Sequence, residues 1–219
     1  MRTSTVTVAK VDPYANRDEA LQVIEQVYRN EKGWIRDVES EIPQDIEARA
    51  DQSWYMVSVS GEPAGVIRLL YDPSLEIPEE LGVELEPSID LARLAGSGRF
   101  VEIGRFMILP RYRKDIRVAL KLMKAAIAEV VERGYTHFIT DVFLSDPHSP
   151  LAFHTRVLGF ERIGTHRTGE LACESARIIL ILDIARAYQR LKRRRNRVFR
   201  ELGEGLRDLL EDRKLAQTA

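Results

Sequence analysis

An α/β fold of the α+β kind, with a mixed central sheet flanked by helices and a basic helical extension at the C-terminus, is predicted by three features of this 219-residue chain. Strand-like and helix-like patterns interleave over residues 1–183, which is the order expected of a sheet with helices packed on it. A mostly apolar strand runs into Pro110, a basic loop and a long helix over Phe100–Ile127, FVEIGRFMILPRYRKDIRVALKLMKAAI. From residue 184 the pattern turns helical and strongly basic.

The elements follow in order. Residues 3–11 alternate and are β-branched, so they read as a strand. Asn16 or Asp18 can cap a helix over about 17–30, with Ala20, Leu21, Ile24, Val27 and Tyr28 on one face, and a second short helix is expected at 43–50. Residues 53–60 and 64–71 read as a hairpin about SGEP. Residues 72–98 carry Pro73, Pro78, Pro87 and a GSG turn, and read as a long irregular connection of the kind that often serves as a lid. A strand at 99–109 and a helix at about 115–133 follow, closed by Gly134. A strand at 136–143, a helix opened by Ser149-Pro150, and strands at 160–166 and 174–183 complete one domain, 1–183. The extension, 184–219, carries Ile184, Tyr188, Leu191, Val198, Leu202, Leu206 and Leu209 at mostly three- and four-residue spacing.

Composition narrows the function. With 44% hydrophobic residues the chain can bury a real core. One cysteine, Cys173, excludes an internal disulfide framework and a cysteine-based zinc site, and His137, His148 and His166 lack metal-like spacing with one another, so no metal is expected. No apolar leader and no apolar run of membrane length occur, so a soluble cytoplasmic protein is expected. The net charge of −1 hides an asymmetry: residues 184–219 hold 11 Lys/Arg against 5 Asp/Glu, a charge of +6, which leaves −7 on the remainder. Residues 72–90 hold seven acids and no base. Separated charge of this kind suits a docking surface as well as it suits two solvated faces. Eight bases within 186–200 could neutralise phosphates, but acids return at 201–212 and no aromatic platform accompanies them, so nucleic acid is not an expected partner.

The strand–Pro–basic loop–helix at 100–127 and the segment PLAFHTRVLGFERIG at 150–164 resemble the two signatures of the GNAT acyltransferase superfamily. The loop KDIRVA, Lys114–Ala119, lacks the glycines usual in acetyl-CoA users, and small residues are what let phosphate approach backbone closely. VYRNEKGW at 27–34, Asp45 and Asp51, GVIRLL at 65–70, FVEIGRF at 100–106 and DPHSPLAFHTRVLGF are more similar to the subclass of acyl-homoserine-lactone (autoinducer) synthases and long-chain N-acyl amino acid synthases. That resemblance implies transfer of a medium or long fatty acyl group from an acyl carrier protein, or from acyl-CoA, to a small amine. The rival expectations are an acetyl-CoA N-acetyltransferase and a non-catalytic module that binds acyl thioesters or nucleic acid.

Charged residues inside apolar strands are costly unless paired or used. Glu102 is the candidate general base that takes a proton from the amine, its alternative being a structural ion pair. Arg68 and Arg105 must each find a carboxylate or phosphate. The resemblance implies a role in shaping the acceptor site, and Glu39, Glu41, Asp45 and Asp51 are the internal alternatives. Arg111, Arg113, Lys114 and Arg117 crowd a helix N-terminus, where their charge opposes the dipole unless an anion is bound, and they suit the phosphate of the acyl thioester donor and an acidic carrier. His154 stands where the resemblance carries a tyrosine that protonates the departing thiolate, with Thr155 one position away. Backbone N–H groups at Met107 and Ile108 are the oxyanion site that the resemblance implies. Trp34, Tyr28, Phe100 and Phe106 suit an acyl tunnel or ordinary packing.

Overall fold

A computed structural model describes residues 4–75, 82–167, 171–173, 175–194, 197–203 and 210. The chain divides into two units, Met1–Tyr71 with Gly104–Glu129 and Asp72–Ile103 with Val130–Ala219.

In the first unit β1 (Val6–Lys10), β2 (Gln52–Val59) and β3 (Glu62–Tyr71) form an antiparallel meander. Ser60 and Gly61 both take positive φ, 54° and 90°, the two-residue turn whose twist matches that of its strands. Helix α1 (Arg17–Ile24) buries Ala20, Leu21, Val23 and Ile24 and packs on β3. It continues through Glu25–Glu31 as a wider turn, with the Lys32 N–H bonded to the Val27 carbonyl. The short helix expected at 43–50 is reduced to a single 3-10 turn, Ile46–Ala48, and another such turn stands at Glu39–Glu41.

The 72–98 connection is more regular than expected. It holds β4 (Glu84–Leu85) and α2 (Leu91–Ala95), the latter capped by Asp90 accepting from the Arg93 N–H at 3.0 Å. Strand β5 (Phe100–Ile108) then gives its first half to the second unit and its second half to the first. Helix α3 (Ile116–Glu132) follows and ends before Gly134, φ 96°. The second unit orders its strands β5-β6-β8-β7-β4, with β6 at His137–Phe143, β7 at Glu161–His166 and β8 at Arg177–Asp183. The sheet is mixed: β5 and β6 run parallel, and the pairs β6–β8, β8–β7 and β7–β4 are antiparallel. Phe100, Ile163 and Ile181 centre an apolar cluster in this unit, packed against by Leu75, Ile89 and Leu94 from the 72–98 connection. Asp72 fastens the start of that connection, accepting from the Tyr135 hydroxyl at 2.6 Å and the Arg99 guanidinium at 3.0 Å.

The basic extension begins as α4 (Ile184–Arg194) and α5 (Arg197–Gly203), both within the second unit. Ile184, Ala187, Tyr188 and Leu191 are buried, while Arg186, Lys192, Arg193 and Arg194 are exposed. Leu206 and Leu209 of the expected stripe lie outside the described residues. No described helix is long and apolar enough to cross a membrane.

Candidate active site

Register places Glu102 on a definite face of the second unit. Residues paired across a ladder share a face, and alternate residues of one strand do too. Glu102 pairs with Ile139, Ile139 with Ile181, Asp141 with Ile179, and Phe143 with Arg177. One face therefore carries Phe100 and Glu102 on β5, Ile139, Asp141 and Phe143 on β6, and Arg177, Ile179 and Ile181 on β8. Phe100 stacking on His137 at 4.8 Å between ring centroids agrees with that assignment. Glu102 is half-buried, and Ile139, Ile179 and Ile181 share its face.

The same face holds a charged group that the sequence reading did not single out. Asp141 Oδ2 accepts from His166 Nε2 at 2.9 Å and from Arg177 Nη1 at 3.1 Å. Burial pushes the Asp141 carboxyl up, but the His166 bond and the Arg177 charge outweigh it and hold it below the usual carboxylate range. Arg177 is 4% exposed and its guanidinium lies over the Phe143 ring at 4.6 Å. A lone acid in the apolar strand His137–Phe143 is the same signal that marks Glu102, and it would have found Asp141.

His154 is fully buried, edge-on to Phe160 at 4.9 Å, with Nδ1 3.0 Å from the Pro150 carbonyl. A carbonyl only accepts, so Nδ1 carries the proton. Burial pushes the imidazole down to about 4, against a smaller opposing effect of the Pro150 bond, so the ring is neutral at neutral pH. Its carbonyl accepts from the Gly159 and Phe160 N–H groups at 2.7 and 2.9 Å, closing the helical turn Phe153–Leu158 at Gly159, φ 87°. Thr155, the neighbouring alternative, donates its hydroxyl to the Leu151 carbonyl at 2.8 Å. Arg190 of α4 donates to the Leu158 carbonyl and covers Gly159, where any side chain would collide with it.

In the first unit, Arg105 has φ 50° in the middle of β5 and is 8% exposed. Its Nε and Nη2 hold the two oxygens of Glu41, at 2.5 and 3.4 Å, and its guanidinium lies 5.6 Å from the Tyr28 ring centre. Of the four internal alternatives, Glu41 pairs with it. The segment is fastened a second time by Arg17, which donates to the Ile42 carbonyl at 2.9 Å and to the Glu39 carboxylate and carbonyl. Sequence reasoning missed Arg17; its one signal is a cation at a helix N-terminus, where the dipole disfavours it. Arg68 lies across Gly104, where a Cβ would come within 2.8 Å of Nη2, so glycine is what lets the guanidinium cross β5. Trp34 stands edge-on to Tyr28 at 5.3 Å, and Phe106 is half-buried. Met107 is buried, with its carbonyl against Gly65, where a Cβ would approach it to 2.7 Å, and the Ile108 carbonyl accepts from Arg113 Nε at 3.0 Å.

The four bases of the loop fall into two kinds. Arg113 grips Glu31 with both Nη groups at 2.8 and 2.5 Å, and Arg117 grips Asp115 through Nε and Nη2. Asp115 also accepts from the Arg117 backbone N–H at 3.1 Å, so the helix N-terminus carries its own carboxylate. Arg111 and Lys114 are exposed, Arg111 lying over Tyr112 at 4.9 Å.

Residues 19–180 match the family model described as FeeM, N-acyl amino acid synthase. Among solved structures, FeeM itself, an N-acyl amino acid synthase from uncultured soil microbes, aligns with a TM-score of 0.61 at 16% identity, over 85% of this chain and 95% of that one. A probable GNAT-family acetyltransferase from Chromobacterium violaceum aligns at 0.53 and 14% identity, over 83% and 89%. The aminoglycoside acetyltransferase AAC(6')-Ib in complex with coenzyme A aligns at 0.55 and 16% identity, over 85% and 98%. At these identities the structures establish a common GNAT fold. Among curated proteins, none matches this sequence significantly.

Proposed function

Taking as premise that this chain belongs to the FeeM N-acyl amino acid synthase family and is an N-acyltransferase, we propose that it moves a medium or long acyl group from an acyl carrier protein thioester, or from acyl-CoA, to the amine of an amino acid. The observation that carries the reading is Glu102, half-buried on the face it shares with Ile139, Ile179 and Ile181, inside the matched span. The amine nitrogen attacks the thioester carbonyl, the C–N bond forms, and Glu102 takes the proton the nitrogen sheds. The C–S bond then breaks, and the proton held by Glu102 returns to the departing thiolate.

His154 is left out of that proton path. A neutral ring with a pKa of about 4, whose single proton already faces the Pro150 carbonyl, has no proton to give at neutral pH. Its proposed work is to hold the turn at 150–160. For the donor, Arg111 and Lys114 are assigned to the acidic carrier or phosphate, and Arg113 and Arg117, engaged with Glu31 and Asp115, to the shape of the loop that presents them.

Glu102→Gln keeps the shape of the side chain and removes the base. The expected outcome is a fall in kcat of about 10²–10⁴-fold at neutral pH with an unchanged melting temperature. Activity within about threefold of wild type would remove Glu102 from the mechanism and leave it a structural partner.

A further inference from the structure

Arg177 spends one nitrogen on Asp141 and keeps two in reserve. Its Nε and Nη2 are buried and have no hydrogen-bond partner among the described residues. These two atoms form one edge of the guanidinium, the edge whose parallel N–H bonds match a carboxylate oxygen for oxygen. A buried polar group without a partner is costly, and a charged one more so. The chain itself shows what fills such an edge: the same two atoms of Arg105 hold the carboxylate of Glu41. In the second unit no carboxylate of a described residue fills it.

The position of the edge suggests the ligand. Arg177 and Glu102 share a face, and Asp141, the residue Arg177 touches, lies one strand over and two residues on from Glu102. By the same register Arg177 itself lies two strands over and four residues on from Glu102, about 16 Å between Cα atoms, a gap that the two long side chains and one small molecule together can span. Between them the face is apolar, Ile139, Ile179 and Ile181. Asp141 keeps 38% of its side chain exposed, so the group opens to solvent there. His166, the second donor to Asp141, fixes that carboxylate and with it the tilt of Arg177.

We infer that Arg177 is the acceptor's carboxylate site: the amino acid seats its carboxylate on the Nε–Nη2 edge and turns its amine toward Glu102. The inference rests on the amino-acid acceptor proposed above and adds what recognises it. It makes the enzyme select for an acid, because the amide or decarboxylated amine of the same residue leaves the edge unfilled.

The test is competition. The purified full-length protein is given a dodecanoyl thioester, on carrier protein and on CoA, with an equimolar mixture of the twenty amino acids and their amides, and products are read by mass. Wild type should acylate acids over the matching amides by at least tenfold. Arg177→Gln and Arg177→Lys should raise the acceptor KM about 10- to 100-fold and bring the acid-to-amide ratio near one, with the donor KM unchanged. Lysine keeps the charge and loses the edge, so it serves where glutamine impairs folding. Amides acylated as well as acids by wild type, or a ratio that survives both variants, overturns the inference. Calorimetry of the acids that wild type acylates, or of the mixture if it acylates none, separates the two levels of the argument. Binding that depends on Arg177 without acyl transfer upholds the site and rejects the reaction. An absence of both binding and transfer rejects the site.

Discussion

Two buried arginines on strands of this molecule each pair with a carboxylate, and they use it differently. Arg105, in the first unit, closes both atoms of its side-on edge around Glu41, whose side chain is 10% exposed. Arg177, in the second, reaches Asp141 with Nη1, its Nε and Nη2 meeting no described residue, and Asp141 is 38% exposed. The first is a saturated pair: it carries a strained backbone, φ 50°, and fastens the segment that Arg17 also holds. The second is a half-used cation. A buried ion pair is weak evidence for stability, and what distinguishes a clamp from a recognition group is whether the donors are spent.

Variants can break or sharpen that contrast. Glu41→Gln leaves Arg105 buried beside a neutral partner and should cost about 3–5 kcal/mol of stability, read by urea unfolding, with Arg105→Met/Glu41→Leu recovering much of it. Arg177→Gln should cost less than half as much, because Asp141 keeps His166 and reaches solvent. Equal losses at the two sites would erase the distinction.

Acid stability supplies a second comparison, within the second unit. His154 is buried neutral, and its folded pKa, about 4, lies below the unfolded 6.5. Above pH 6.5 both states are neutral there and the group is silent. Between about 6.5 and 4 the unfolded state takes up the proton first, so stability falls with pH, by about 3 kcal/mol in all. His154→Phe should remove that part of the acid sensitivity from a series of melts, and an unchanged pH profile would contradict neutral burial. Asp141, with its pKa lowered, acts in the same direction: its stability is present above the unfolded carboxylate pKa and is lost as pH falls through the folded one.

The loop should give the smallest effect. Reversing Arg113 and Arg117 to Glu breaks two ion pairs and reverses the loop's charge, so the donor KM should rise far more than kcat falls, and more for carrier protein than for acyl-CoA. Equal rises on both donors would confine the loop to phosphate binding.

What was legible in the sequence was local. The hairpin at Ser60–Gly61, the strand through Glu102 and the helix closed by Gly134 follow from alternation, turn residues and caps within a few positions. Glu102, Arg68 and Arg105 stood out because a charge in an apolar strand requires a reason, and the partner of Arg105 was among four acids named for it. What was not legible was non-local. Arg177 meets Asp141 across 36 residues and Arg17 meets Glu39 across 22, and no spacing rule reaches that far. His154 was marked by its position, but its use as an acid depends on burial, which periodicity over six residues does not reveal. The bases of the loop were visible, but the acid that occupies Arg113 was not, because Glu31 lies 82 residues from it.

The central claim is that this chain makes fatty amides of amino acids with Glu102 as base. Mass spectrometry of the lipids from cells expressing the wild-type chain, beside cells expressing Glu102→Gln at equal level, tests it most directly. The account predicts a series of products with the mass of an amino acid plus a medium or long fatty acid less one water, falling at least a hundredfold in the variant. Acetylated products alone, no new amide, or the same series in both strains would contradict it.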